Sequence, residues 1–268
     1  WQYTDGRNIS RDNREVLLVG DLTNYLHQRY ADLQNSDIEE IINRLRHVSG
    51  QTHFELLRNT YYLVRDGFRY TRNLDGATFD IEFVNFEAHN NSHNIYRCVN
   101  QFEVGYGLKA DIRIPDVLLF VNGIPLCIFE LKNPTDFNAT IADAYDQIHI
   151  RYKRDIPQLL RYCPLSCISD ATVNNTKLGT TYTPYNHYYA WKKVNNEDES
   201  AKRGADQVKT IVAGVYEPNR FIEIIRDFVY FPDKKHDKEE EVVCRYPQFF
   251  ATRMLRESVL NAYFANSR

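Results

Sequence analysis

The chain has 268 residues, 43% hydrophobic and 26% charged, enough for one large domain or a domain with an appendage. A formal net charge of −3 counts against a generally basic nucleic-acid binder while leaving room for a local basic patch, and no run of about 18 apolar residues offers a helical membrane span. The five cysteines are odd in number and include no Cys-x-x-Cys pair, which argues against zinc and for reduced core cysteines in a cytoplasmic protein. No secretory leader opens the sequence, which starts at Trp1 without a methionine, so a fragment or processed chain is expected.

Helical spacing comes first, over residues 14–33. A second helix over 36–48 is expected from a capping box of Ser36 and Glu39, and a third over 52–67 ends at Gly67. Alternation of Phe79, Ile81 and Phe83 with Asp80 and Glu82 predicts a strand over 78–86, and a weaker alternation predicts one over 96–104. The polar link 87–94 between them reads as a loop. Two strands then flank Asn122-Gly123, a strong hairpin signal, and their unbroken hydrophobicity places them where both sheet faces are covered. A helix from about Ala139 breaks before Pro157 and resumes, followed by a strand over 165–170. Beyond it come a loop-rich stretch to 194, a solvated loop over 195–204, a helix over 219–231, a charged loop over 233–241 and a final helix over 248–264. Helices, a sheet core, a crossover helix and a further strand make an α/β layered domain.

The hairpin carries Asp116 at its entrance and Glu130 and Lys132 at its exit. With an ideal two-residue turn, Asp116 falls opposite Phe129, one position off Glu130, so the two carboxylates would point to opposite faces. A bulge or irregular end at Pro115 or Pro125 would bring them together. Two carboxylates hold a hard cation such as Mg2+ while leaving room for water and a phosphate oxygen. A lysine beside them opposes negative charge developing on the phosphate. Spacing alone also permits an ordinary surface ion pair at a hairpin end.

The stretch RIPDVLLFVNGIPLCIFELKNP closely resembles the nuclease motif in the R (restriction) subunit of type I restriction–modification enzymes. DAYDQIHIRYKRDIPQLLRY is similar to that family's Q-x-x-x-Y helix, and CISDA and AWKKV to the strands that follow it. YEPNRFIEIIRDFVYF and VCRYPQFFATRMLRESV resemble the segments leading toward the motor. The resemblance implies a PD-(D/E)xK restriction-endonuclease-like core with helical extensions, a mixed central sheet flanked by helices. It implies a nuclease domain over residues 1–230 and a charged loop and helix over 231–268 leading to a helicase part.

On this resemblance Asp116 and Glu130 match the metal-binding carboxylates, Lys132 the catalytic lysine and Gln147 the glutamine of the helix. Tyr152 lies one residue too far for Q-x-x-x-Y, since on a regular helix Arg151 shares the face of Gln147; a π-bulge would restore the alignment. Arg151, Lys153 and Arg154 form a basic cluster, read either as phosphate contacts or as a solvated helix face, and His149 is read as structural. The implied activity is Mg2+-dependent endonucleolytic cleavage of unmodified double-stranded DNA, with methyltransferase and specificity subunits as partners. ATP is expected only in the full-length subunit, because no G-x-x-x-x-G-K-[ST] occurs here. A helix bearing an acidic residue is expected upstream of Trp1. A non-catalytic docking module, or a repair or resolvase-like nuclease sharing the core, is the alternative.

Overall fold

The computed structural model describes residues 1–266 except 88–92, 106–110, 134, 137, 138, 173, 174, 198–203 and 233–238. The loops expected over 87–94, 195–204 and 233–241 fall largely outside the described residues.

A short strand, β1 (Gln2–Asp5), precedes three helices, α1 (Val19–Arg29), α2 (Asn35–Arg46) and α3 (His53–Asp66). In α2, Ile38, Ile41, Ile42 and Leu45 recur at helical spacing and are buried. The capping residue differs from the expected Ser36–Glu39 box: the Asp37 carboxylate accepts the Gln34 backbone N–H at 2.9 Å and also takes the Tyr70 hydroxyl, so the buried acid, one position along, starts the helix. In α3, the Thr52 hydroxyl caps the Glu55 N–H and Gly67, at φ 67°, ends the helix as expected.

Next come β2 (Phe68–Thr71) and β3 (Thr78–Ile81), which pair with each other antiparallel outside the main sheet. The alternation read over 78–86 therefore forms a strand only in its first half. The main sheet continues with β4 (Tyr96–Asn100), β5 (Val117–Val121) and β6 (Ile124–Leu131). A crossover follows: α4 (Ile141–Asp146), a π-helical turn (Gln147–Tyr152), α5 (Lys153–Asp155) and α6 (Pro157–Leu160). The strands β7 (Leu165–Ser169), β8 (Thr176–Gly179) and β9 (Tyr189–Ala190) complete the sheet. Helices α7 (Gly204–Val215) and α8 (Pro218–Asp227), the small ribbon of β10 (Val229–Tyr230) with β11 (Val242–Val243), and α9 (Tyr246–Asn266) follow.

Among the described residues the main sheet has seven strands in the order β1-β4-β5-β6-β7-β8-β9. Pairs β1–β4 and β6–β7 are parallel and the others antiparallel, so the fold is the mixed, helix-flanked α/β sheet that the sequence implies. The hairpin turn at its centre is itself buried. Asn122 and Gly123 both have positive φ, and a Cβ on Gly123 would lie 2.3 Å from the Leu18 carbonyl oxygen. The Asn122 side chain accepts from the Ile95 N–H and donates to the Phe83 carbonyl, which anchors the turn beneath the helical layer. All five cysteines are free, and Cys127, Cys163 and Cys167 lie in the core.

Candidate active site

The hairpin register settles how the two carboxylates relate. Val121 faces Ile124 and Phe120 faces Pro125, as an ideal turn requires, but Leu119 then faces Cys127, leaving Leu126 as an extra residue. Beyond this bulge Val117 faces Phe129, and continuing the register sets Asp116 across from Glu130 rather than Phe129. The bulge sits beside Pro125, which has no N–H to give to the ladder. Asp116 is further tied to the exit of β6, because its Oδ2 accepts the Leu131 N–H at 2.6 Å.

Glu130 is 2% exposed and belongs to a closed ring of four side chains. Lys132 Nζ donates to Glu130 Oε1 at 2.9 Å and to Gln147 Oε1 at 2.7 Å. Gln147 Nε2 donates to the Tyr152 hydroxyl at 2.7 Å, and that hydroxyl donates to Glu130 Oε2 at 3.0 Å. The ring depends on the crossover. Thr140 and Asp143 form a capping box that starts α4, and the chain then widens into a π turn from Gln147 to Tyr152. In that turn residues five apart stack on one face, so the spacing one residue too long for an α-helix brings Tyr152, not Arg151, to Gln147.

Burial sets the electrostatics. It pushes the Glu130 carboxyl up to about 7, the negative charge of Asp116 adds to the rise, and the Lys132 and Tyr152 hydrogen bonds oppose it. Burial and the Glu130 charge push the Tyr152 phenol upward, so it stays protonated and able to donate. A buried carboxylate held near neutrality beside a second carboxylate favours any further positive charge. Asp116 and Glu130 together offer the hard oxygen donors that suit Mg2+, whose remaining positions water and phosphate oxygens fill. Among the described residues no cluster of three or more His, Cys, Asp or Glu side chains fit for a metal occurs, so this pair stands without a third such ligand.

The basic cluster does not stay together. Arg151 is exposed, Arg154 pairs with Asp155 at 2.6 Å, and the half-buried Lys153 ammonium lies 3.5 Å from the Tyr182 ring centroid. His149 is partly buried and stacks on Tyr145, with ring centroids 3.9 Å apart, and its Nε2 lies 2.9 Å from the Tyr188 hydroxyl. Burial and the Lys153 charge push its imidazole down to about 3, which keeps it neutral and fits the structural reading. One connection has no signal in the sequence. Arg113, three residues before Asp116, pairs with Asp155 at 2.7 Å and ties the β5 entrance to the end of the crossover.

The family described as Type I restriction enzyme R protein N terminus matches residues 1–187. The chain is 29% identical over 280 residues to the type I restriction enzyme HindI endonuclease subunit of Haemophilus influenzae, covering 100% of this chain and 26% of that protein. It is 26% identical over 263 residues to the putative type I restriction enzyme MjaIXP endonuclease subunit of Methanocaldococcus jannaschii, covering 92% of this chain and 24% of that protein. The chain thus spans about a quarter of the length of these curated relatives.

Proposed function

The chain belongs to the family of type I restriction enzyme R protein N termini, and from that premise we propose that it carries the subunit's metal-dependent DNA endonuclease centre. The observation that carries this reading is the closed ring of Glu130, Lys132, Gln147 and Tyr152 beside Asp116 at one end of the central hairpin. Asp116 and Glu130 would hold Mg2+. When bound, that ion lowers the pKa of a water molecule and draws charge from a phosphate.

Each member of the ring has a task of its own. Lys132, with its side chain 15% exposed, presents its ammonium toward charge developing on the phosphate, and Gln147 and Glu130 fix where it points. Tyr152 keeps its proton and holds one oxygen of Glu130, which limits the rotamers of that carboxylate. Arg151 is the open member of the basic cluster and is assigned to phosphate contact, with Arg154 as its neighbour.

In the full-length subunit the division at residue 230 would separate this centre from a motor that binds ATP. Methyltransferase and specificity subunits would select unmodified double-stranded DNA. Among the described residues no helix is long and apolar enough to cross a membrane, and a cytoplasmic setting is proposed with the rest.

The test is plasmid cleavage by the full-length subunit assembled with its partners, with and without Mg2+. Asp116→Asn should reduce cleavage to background. Cleavage that persists at the normal rate would remove the nuclease reading and favour a docking module.

A further inference from the structure

Outside the ring, the sheet register sets one further cation in line with it. Glu130 faces Ile168 on β7, and Ile168 faces Lys177 on β8. Residues directly across neighbouring strands share a sheet face, so Lys177 stands on the face of Glu130, two strands away. At about 4.8 Å per strand their backbones are about 10 Å apart. Neighbours on both strands agree: Ser166, two before Ile168, and Gly179, two after Lys177, both meet Tyr188, which packs on Tyr145 of the crossover.

Lys177 is held but not neutralised. Its ammonium lies 5.4 Å from the Tyr185 ring centroid, and that ring meets Tyr145 edge-on with centroids 5.3 Å apart. Among the described residues no acidic side chain pairs with Lys177, and it is only partly buried. Other bases near the ring are committed. Arg113 and Arg154 share Asp155, Lys132 holds Glu130, and Lys153 lies against the Tyr182 ring.

We propose that Lys177, steadied by Tyr185, binds a backbone phosphate of the duplex whose cleaved bond lies at Asp116 and Glu130, and so positions that duplex. The inference rests on the nuclease reading for the place of the cleaved bond. A span of about 10 Å equals about three steps of 3.4 Å along one strand, or nearly the width of a major groove at about 12 Å. A chain of net charge −3 needs local positive charge to hold a polyanion, and Lys177 supplies an unpaired one on the face of the ring.

The experiment is equilibrium binding of a short labelled duplex to the intact chain, without Mg2+, between about 0.05 and 0.3 M KCl. The parent should bind with a Kd on the order of 10 μM at the lowest salt, and log K should fall linearly with log salt. Lys177→Gln should reduce that slope by about 0.9 and weaken binding about tenfold at the lowest salt, a loss that shrinks as salt rises, because one phosphate contact no longer releases its counterion. Lys177→Arg should restore both, which a damaged strand would not allow. Lys209→Gln, an equal loss of charge at an exposed position of α7, is the control. The chain leaving α7 packs Tyr216 on Phe129, which faces away from Glu130, so this variant should keep the parental slope. Without Mg2+ no cleavage enters the measurement, so cleavage that persists in Asp116→Asn would remove the nuclease reading and leave this result standing. Absence of salt-dependent binding by the parent, a parental slope in Lys177→Gln, or an equal drop in Lys209→Gln would overturn the inference.

Discussion

Glu130 concentrates the tension between stability and chemistry. Its carboxyl titrates at about 7 in the folded chain against an ordinary value of 4.5. A raised acid favours folding in its protonated form, so this contribution is complete below about pH 4.5 and is lost as the pH rises through about 7. Glu130→Gln should therefore be more stable than the parent at about pH 8, by up to about 2–3 kcal/mol, and the gap should close toward pH 4. Urea denaturation across that range checks it; a variant less stable at high pH would show that the charge is fully compensated. Mg2+ should raise the parent's unfolding free energy by about 2.7 kcal/mol at a hundredfold excess over Kd, and leave that of Glu130→Gln unmoved. At this scale the motif residues were legible in the sequence. The side on which Asp116 stands is left open there: an ideal turn sets it opposite Phe129, Pro115 and Pro125 are the places for a bulge, and the register shows the bulge beside Pro125, with Leu126 as the extra residue.

The crossover is the element on which the ring depends. Its start near Ala139 and its break at Pro157, through the missing proline N–H, are legible in the sequence, and the Thr140–Asp143 capping box is what the structure adds. The π turn was readable only as a misfit between Gln147 and Tyr152, since no residue type encodes it by itself. Tyr152→Phe tests its purpose. The loss leaves Gln147 Nε2 and Glu130 Oε2 without their shared hydroxyl, so stability should fall by about 1–3 kcal/mol in urea and cleavage should fall with it. Deleting the exposed Ile150 should do far less, because it converts the wide turn to an α-turn with the same two residues four apart. A deletion mutant that loses both stability and cleavage as Tyr152→Phe does would contradict the spacing account. Elsewhere short elements escaped the sequence for an ordinary reason. β1 and β8 are four residues each, too short for alternation to show, and α7 runs through VKTIVAGV, whose β-branched residues read as helix or strand alike.

At the scale of the molecule, layered architecture was legible because the hairpin is apolar on both faces and a helix joins its second strand to the next parallel one. The separate β2–β3 ribbon was not, since alternation predicts a strand but not its partner. The net charge of −3 opposes a polyanion's approach, and the chain spans about a quarter of its relatives' length. Plasmid cleavage by the chain alone, even with Mg2+, should accordingly be weak or undetectable, and efficient cutting by it would show that neither partners nor motor are needed.

The most direct measurement is the behaviour of Lys132→Ala in the full-length subunit assembled with its partners, with plasmid cleavage and ATP hydrolysis followed side by side. Lys132 sits at a strand end, and its ammonium acts on charge at the phosphate, so cleavage should drop by about 10²–10³ while ATP hydrolysis holds. Normal cleavage by Lys132→Ala would contradict the assignment of this ring as the nuclease centre.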